Sequence, residues 1–478
     1  MTPQEIIDTQ FPQIEKLILQ EGLSQLVVDT FRYNYEQVVR GSTGYIKGSD
    51  IDLVENLPQY SELDEFEDYG KQNIRKLAII KLNGGLGTTM GLDAAKALLP
   101  VKNGLSFFDV VINQIFSLRK KYNCPIPLIY MNSFRTEADT LRVLDGFSDF
   151  HNGQDGISPT FIQSKVPKIR VDNFAPVKWE KDPSLEWCPP GHGDIFISLV
   201  QTGLLDKLIS KGYEYIFMAN GDNLTATFCP KILGYLLKNN IPWLSETTAR
   251  TAADRKGGHL ARFKDGRLML RETTQCPPNE LEDFSNIEKY KFFNTNLLWV
   301  NTKVLKATLA ANNNVLKLTL IKNEKNVDPT DASSPKVYQL ETAMGAAISC
   351  FDGAKAVCMP RTRFAPVKDT GDLLSLWSDN FYLDEAYNVC RNRQDTIVTS
   401  LDPAYYKNIE DFKKRFPHGA PSLVNCSKLT IKGDFVFEKN VVLKGNVFLE
   451  NTSGKQQVIN DGEVVTALST SANSSRPL

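Results

Sequence analysis

Histidine and cysteine are scarce in this 478-residue sequence, which has four His and eight Cys. His151, His192, His259 and His418 form no His-x-x-x-His pair, so the commonest helical zinc spacing is missing. The cysteines (Cys124, Cys188, Cys229, Cys276, Cys350, Cys358, Cys390, Cys426) include no C-x-x-C pair and read as reduced, mostly buried thiols of a cytosol-like compartment. Net charge is nearly absent as well: 55 Lys plus Arg against 56 Asp plus Glu leave −1, which excludes a generic basic nucleic-acid binder. No run of about 18 apolar residues occurs, so no membrane span is expected. The polar, acidic start Met1-Thr2-Pro3-Gln4-Glu5 does not fit a signal peptide. The end, Arg476-Pro477-Leu478, departs from the peroxisomal Ser-Lys-Leu address at two of three places. A cytoplasmic location is the expectation that remains.

What is present is the composition of a soluble globular protein, 42% hydrophobic and 23% charged. The length suits about three domains, or one large α/β core with insertions. Residues 3 to 40 carry Ile6, Ile7, Phe11, Ile14, Leu17 and Ile18 at helical spacing. The acidic stretch from Asp50 to Tyr69 reads as a connector. Apolar runs at Lys76 to Leu82, Pro127 to Met131, Tyr215 to Ala219, Phe292 to Val300 and Ala354 to Met359 read as strands. Helix-like segments separate them, Val337 to Phe351 among these, which is the alternation of a mixed or mostly parallel sheet. Asp265-Gly266, between Gly258 to Lys264 and Arg267 to Glu272, predicts a hairpin projecting from that sheet.

Near the C-terminus a six-residue apolar repeat appears. Leu423, Leu429, Phe435, Val441 and Val447 mark one series, and Ile431, Phe437, Leu443 and Leu449 follow two positions later. This period fits a left-handed β-helix, in which each flat face turns one such side chain inward; a meander of alternating strands is the other reading. Beyond the repeat, Ser469 to Leu478 reads as a frayed tail.

Several motifs carry chemistry. Asn83-Gly84-Gly85-Leu86-Gly87-Thr88-Thr89-Met90-Gly91 follows the first strong strand but is neither a Walker A loop nor G-x-G-x-x-G. Four glycines in eight residues still leave backbone N–H groups bare for a base or a phosphate, although a tight packed turn would look alike. Lys96 follows in Ala94-Ala95-Lys96-Ala97. Asn220-Gly221-Asp222-Asn223 stands at the end of another strand, where ligands bind in open α/β sheets and where a carboxylate suits Mg²⁺ held with phosphate oxygens. The same four residues are also ordinary turn chemistry. Pro189-Pro190-Gly191-His192-Gly193-Asp194 reads as a ligand-facing loop, with Asp194 a candidate cap for a helix near Ile195. Phe293-Asn294-Thr295-Asn296 offers amides for sugar hydroxyls, and Lys368 in Phe364-Ala365-Pro366-Val367-Lys368 offers a point charge for a phosphate. No G-x-S-x-G elbow supports a serine hydrolase.

In this order the motifs resemble the UTP–glucose-1-phosphate uridylyltransferase (UDP-glucose pyrophosphorylase) family of the eukaryotic kind. Lys81-Leu82-Asn83-Gly84-Gly85-Leu86-Gly87-Thr88, Met131-Asn132-Ser133-Phe134, Val166-Pro167-Lys168, Gln339-Leu340-Glu341 and Arg361 with Arg363 to Lys368 add to the blocks above. Lys256-Gly257-Gly258-His259-Leu260 looks most like the trypanosomatid members. The resemblance implies an α/β fold: a Rossmann-like nucleotidyltransferase core with a mixed sheet (71–385), a small N-terminal domain (1–70) and a C-terminal domain with a left-handed β-helix (386–478, repeat core 423–449). It implies reversible, Mg²⁺-dependent uridylyl transfer, UTP plus glucose 1-phosphate giving UDP-glucose plus pyrophosphate, by direct in-line attack without a covalent intermediate. By the same resemblance Lys96, Asp222 and Lys368 are the catalytic residues, with Asp222 holding the metal. Gly84, Gly85, Leu86, Gly87, Met131, Gln163, Gly191, His192 and Asn220 would bind the nucleotide, and Gly258, Glu272, Asn294 and Asn296 the hexose. The partners would be these small molecules, with no nucleic acid or membrane, in a monomer or a homo-oligomer joined through the C-terminal domain. The chain departs from the family where Ala94-Ala95-Lys96-Ala97 replaces the usual Gly-Pro-Lys-Ser, at Leu297 after Asn296, and at Thr225. Competing expectations are a pyrophosphorylase of UDP-N-acetylhexosamine or of several UDP-sugars, and a catalytically silent scaffold.

Overall fold

The computed structural model describes residues 1–92, 94–393, 397–466 and 469–470. Leu77–Asn83 is a strand inside a sheet with ten strands among those residues. It is apolar almost throughout because both its faces are covered: Leu77 and Ile79 enter one core, Ala78 and Ile80 the other. Leu128–Asn132 and Tyr215–Asn220 lie parallel to it on opposite sides, and Thr160–Ile162 lies parallel beyond Leu128–Asn132. The chain thus works outward from Leu77–Asn83 to one edge and then returns to the other flank. The carboxyl ends of Leu77–Asn83 and Tyr215–Asn220 therefore face a topological switch point, the crevice where open α/β sheets hold ligands. Phe292–Asn301 continues antiparallel beside Tyr215–Asn220 and Trp243–Ala249, while Lys355–Cys358 runs parallel to Trp243–Ala249. The mixed sheet expected from the sequence is present.

The predicted hairpin forms from His259–Phe263 and Leu268–Arg271. It does not project clear of the sheet: His259 pairs with Phe293, and Ile51–Asp52, within the expected connector, adds an outer strand. Pro3–Gln20 and Gln25–Val39 are helices, the first opened by a Thr2–Glu5 capping box. Their buried stripe, including Ile7, Phe11, Ile14 and Ile18, packs with Ile169, Cys188, Leu320 and Leu340.

Val337 to Phe351 is not the expected helix. Lys336–Thr342 is a strand between Leu320–Asn326 and Ile169–Arg170, and Met344–Cys350 is a 3₁₀ turn. Val337, Leu340, Met344, Ala347 and Ile348 fall at helix-like intervals, yet each is buried by a neighbouring element. Tertiary pairing outweighs the local period here.

At the C-terminal end all nine residues of the two six-residue series are buried. Strands Cys426–Lys432 and Val442–Glu450 are parallel, with Thr430 facing Phe448 eighteen residues on, or three six-residue steps. Further parallel pairs join Phe435–Phe437 to Gln457–Ile459 and Val442–Glu450 to Val464–Thr466. A plain antiparallel meander is thereby ruled out for these strands. Ser469–Thr470 is a short strand beside Leu449 and Glu450 rather than the start of a frayed tail; residues 471–478 lie outside the described residues.

Candidate active site

A cavity of about 330 Å³ opens at the switch point, bounded by the residues that leave the Leu77–Asn83 and Tyr215–Asn220 strands. Gly84, Gly85, Lys96, Met131, Gln163, Gly191, His192, Asn220 and Asp222 all line it. Nine residues expected at the site, scattered over more than a hundred positions, thus meet in one place. Leu86 and Gly87 do not line it; Gly87 instead turns the loop in the left-handed region at φ +65° and backs onto the Lys96 side chain.

Lys96 reaches across from the glycine loop to Asp222, with Nζ 2.8 Å from Oδ2, and also donates to the Val367 carbonyl. The Val367 N–H in turn donates to the Asp222 carbonyl at 3.2 Å. Asn223 reinforces this seam, its Nδ2 donating to the Arg363 carbonyl at 3.2 Å and its Oδ1 accepting from Ala365 N–H at 3.2 Å. Beneath it, Arg363 makes a two-pronged ion pair at 2.8 and 3.0 Å with fully buried Glu246, which also accepts from Trp299. The segment bearing Lys368 is thereby fixed beside Lys96 and Asp222, and Lys368 itself stays exposed. Thr225 has a local function too, donating to Asn223 Oδ1 at 2.8 Å.

Gln163 and His192 are held from behind. Gly84 lets Gln163 approach, because a Cβ there would lie 2.6 Å from Gln163 Nε2. Gly191, at φ +79°, fits only without a side chain, since its Cβ would stand 2.4 Å from the Thr342 carbonyl oxygen. Asp194 precedes the helix Ile195–Gln201 but does not cap it; its Oδ2 accepts from Ser164 N–H at 2.6 Å and Ser198 Oγ at 2.8 Å. That contact ties the Gln163 strand end to the His192 turn. Met344 N–H donates to His192 Nδ1 at 2.9 Å, which puts the imidazole proton on Nε2. Burial pushes the His192 pKa down to about 4, so the ring stays neutral near pH 7.

Gly258, Glu272, Asn294, Asn296 and Lys368 form a second, adjoining group outside the lining of this cavity. Gly258 abuts the Glu272 carboxyl, and Asn294 hydrogen-bonds it. Burial raises the Glu272 pKa against the opposing pull of Asn294 and Lys368. Asn296, in the left-handed region at φ +59°, donates from Nδ2 to Asn220 Oδ1 at 2.8 Å and so joins the two groups.

Two atoms invite a ligand. Asp222 Oδ1 and Asn296 Oδ1 are both buried without a hydrogen-bond partner. For a metal, the chain supplies one carboxylate and, among the described residues, no cluster of three or more His, Cys, Asp or Glu. One protein carboxylate fits Mg²⁺ completed by phosphate oxygens and water, and does not fit a structural zinc site. Glu341 also lines the cavity; the sequence showed it only within a motif, with no signal of its side chain's direction.

The model of the family described as UTP–glucose-1-phosphate uridylyltransferase matches residues 28–444. The chain belongs to that family. Its relatives named UTP–glucose-1-phosphate uridylyltransferase include one from Musa acuminata, 43% identical over 83% of this chain and 82% of the relative. One from Saccharomyces cerevisiae is 38% identical over 85% and 81%. Among solved structures, a point mutant of UDP-glucose pyrophosphorylase from Leishmania major in complex with UDP-glucose superposes with a TM-score of 0.90 at 39% identity, covering 96% of this chain and 98% of that one. A Trypanosoma brucei enzyme gives a TM-score of 0.88 at 40% identity over 96% and 99%. The trypanosomatid likeness read from the sequence thus has structural counterparts within the family.

Proposed function

We propose that this chain catalyses reversible uridylyl transfer between UTP and glucose 1-phosphate, giving UDP-glucose and pyrophosphate. The observation that carries this is the Lys96–Asp222–Val367 junction: a cation, a half-unpartnered carboxylate and the Lys368 segment held together at the mouth of a cavity on the switch point. Family membership supports the choice of substrates.

A phosphate oxygen of glucose 1-phosphate attacks the α-phosphorus of UTP in line, the bond to the β-phosphate oxygen breaks, and pyrophosphate leaves with that electron pair. The demand on the protein is alignment and charge neutralisation rather than nucleophilic help. Lys96 would bind UTP phosphate oxygens and Lys368 the sugar phosphate. The N–H groups of Gly84 to Gly87, with Leu86 between them, would take the nucleotide. Gln163, Met131, Gly191 and neutral His192, donating from Nε2, would enclose uridine beside Asn220. Gly258, Glu272, Asn294 and Asn296 would shape the hexose site. Asp222 would hold Mg²⁺, which when bound neutralises charge on the phosphates.

The further reading is of three divisions, 1–70, 71–385 and 386–478, with a Rossmann-like core and a left-handed β-helix. The eighteen-residue parallel step and the buried six-residue series support the last. A cytoplasmic location is supported by eight free cysteines, and no helix among the described residues is long and apolar enough to cross a membrane.

The test is incubation with UTP, Mg²⁺ and a panel of sugar 1-phosphates, following pyrophosphate. Glucose 1-phosphate should be preferred. Preference for an N-acetylhexosamine 1-phosphate, or no release with any sugar, would replace this reading.

A further inference from the structure

Glu341 has no part in the reaction as described, yet it lines the same cavity as Gly84, Gln163, Gly191 and His192. It stands in the Lys336–Thr342 strand, opposite Ile321. The next residue, Thr342, donates its N–H to the Pro190 carbonyl at 2.9 Å, pressing the Gly191 turn against the strand. A Cβ on Gly191 would stand 3.1 Å from that of Glu341. The carboxyl is half-buried and already accepts a hydrogen bond from the Asn323 side chain; burial raises its pKa, against the opposing effects of that hydrogen bond and of Lys325. One donor leaves most of a carboxylate's acceptor sites open, and any that face the cavity are costly to bury unless a further donor reaches them.

A polyphosphate cannot be that donor, since it carries the same sign of charge. Lys96 and Asp222, in contact with each other, are the residues proposed above for the phosphates and the metal. Glu341 suits a neutral part of the ligand that can donate hydrogen bonds. Uridine offers one N–H on the base and two neighbouring hydroxyls on the ribose. The Gln163 amide has both a donor and an acceptor, which matches the uracil edge; two carboxylate oxygens match a vicinal diol.

Resting on the assignment of this cavity to UTP, we infer that Glu341 determines sugar specificity by accepting hydrogen bonds from the ribose 2′- and 3′-hydroxyls. The enzyme thereby selects ribonucleotides over deoxyribonucleotides.

The experiment is calorimetric titration of the full chain with UTP, 2′-deoxy-UTP and 3′-deoxy-UTP, in the parent, Glu341→Ala and Glu341→Gln. A hydrogen bond to a charged group corresponds to about tenfold or more in affinity. The parent should bind each deoxy analogue about tenfold more weakly than UTP. Glu341→Ala should bring all three within about twofold, the loss falling on UTP, and Glu341→Gln should lie between. A parent that does not discriminate overturns the assignment, as does a folded variant that keeps the full discrimination. Equal weakening of all three ligands in Glu341→Ala also overturns it, because the carboxyl would then face the base. Should Glu341→Ala fail to fold, Glu341→Gln and the parent decide. Pyrophosphate release by the parent separates the two levels: no UTP binding and no turnover sinks the function, whereas turnover with unchanged discrimination sinks only the Glu341 assignment.

Discussion

Lys96 holds two acceptors from separate parts of the chain, the Asp222 carboxylate and the Val367 carbonyl, so its ammonium is already oriented before any ligand arrives. Preorganised charge of this kind is what a transition state gaining negative charge uses. Lys96→Ala should lower kcat about a hundredfold or more with the far-ultraviolet circular dichroism unchanged; near-normal turnover would remove Lys96 from the reaction. His259 illustrates the opposite, a titratable group used for packing. Its ring stacks on Tyr290 at 4.0 Å, and burial lowers its pKa from 6.5 to about 3. The unfolded chain therefore takes up a proton as pH falls through about 6.5, while the folded chain does not until near pH 3. The stability this neutral ring confers is complete above pH 6.5 and is lost progressively as pH falls from there towards 3. His259→Phe should accordingly gain stability relative to the parent between pH 7.5 and 5, measured by urea denaturation at each pH. The meeting of Lys96 and Asp222 at one cavity agrees with the family resemblance of their motifs, which neither motif carried alone. The Asp194 contacts and the place of Glu341 at the cavity were not expected, because a side chain's direction across a fold leaves no local trace in the sequence.

Elements were readable where one physical constraint dominated. Leu77–Asn83 and Tyr215–Asn220 have both faces covered and show it as unbroken apolar runs. Asp265-Gly266 announces its hairpin because Gly266 takes φ +89° at no steric cost. The segment from Val337 failed because its apolar spacing suits a helix while its neighbours are strands on either side. That strand is also the floor under the Gly191 turn, which makes the turn an unforgiving element. Gly191→Ala would combine a left-handed backbone with a clash against main-chain atoms of Thr342, which cannot rotate away as a side chain could. A cost of about 2 kcal/mol or more is expected, together with a raised KM for UTP and a smaller change for glucose 1-phosphate. Thermal melts and initial rates check both parts, and a fully stable variant with parental UTP kinetics would contradict the geometry.

Across the whole molecule, one buried cluster runs from Leu77, Phe107 and Phe217 through Leu373 and Phe412 to Leu429, Leu443 and Val465. The sequence reading divides the chain into 1–70, 71–385 and 386–478, and periodicity, which reports each stretch alone, does not show what lies against it. A continuous core predicts coincident unfolding. Melts followed by tryptophan fluorescence, which includes Trp243 and Trp299 of the main sheet, should superpose on those of a fluorophore placed on the C-terminal ladder. A separate earlier transition of the ladder would show instead that it folds on its own. The Lys96–Asp222 contact has a consequence at this scale as well. In the proposed reaction each charge would be the other's placeholder until a substrate arrives, and magnesium-bound UTP would bring a cation and an anion together. Binding in the proposed reaction is then an exchange of partners, carboxylate to metal and ammonium to phosphate, rather than the filling of a positively charged hole. A chain with a net charge of −1 can in this way receive a polyanion without a strongly basic surface.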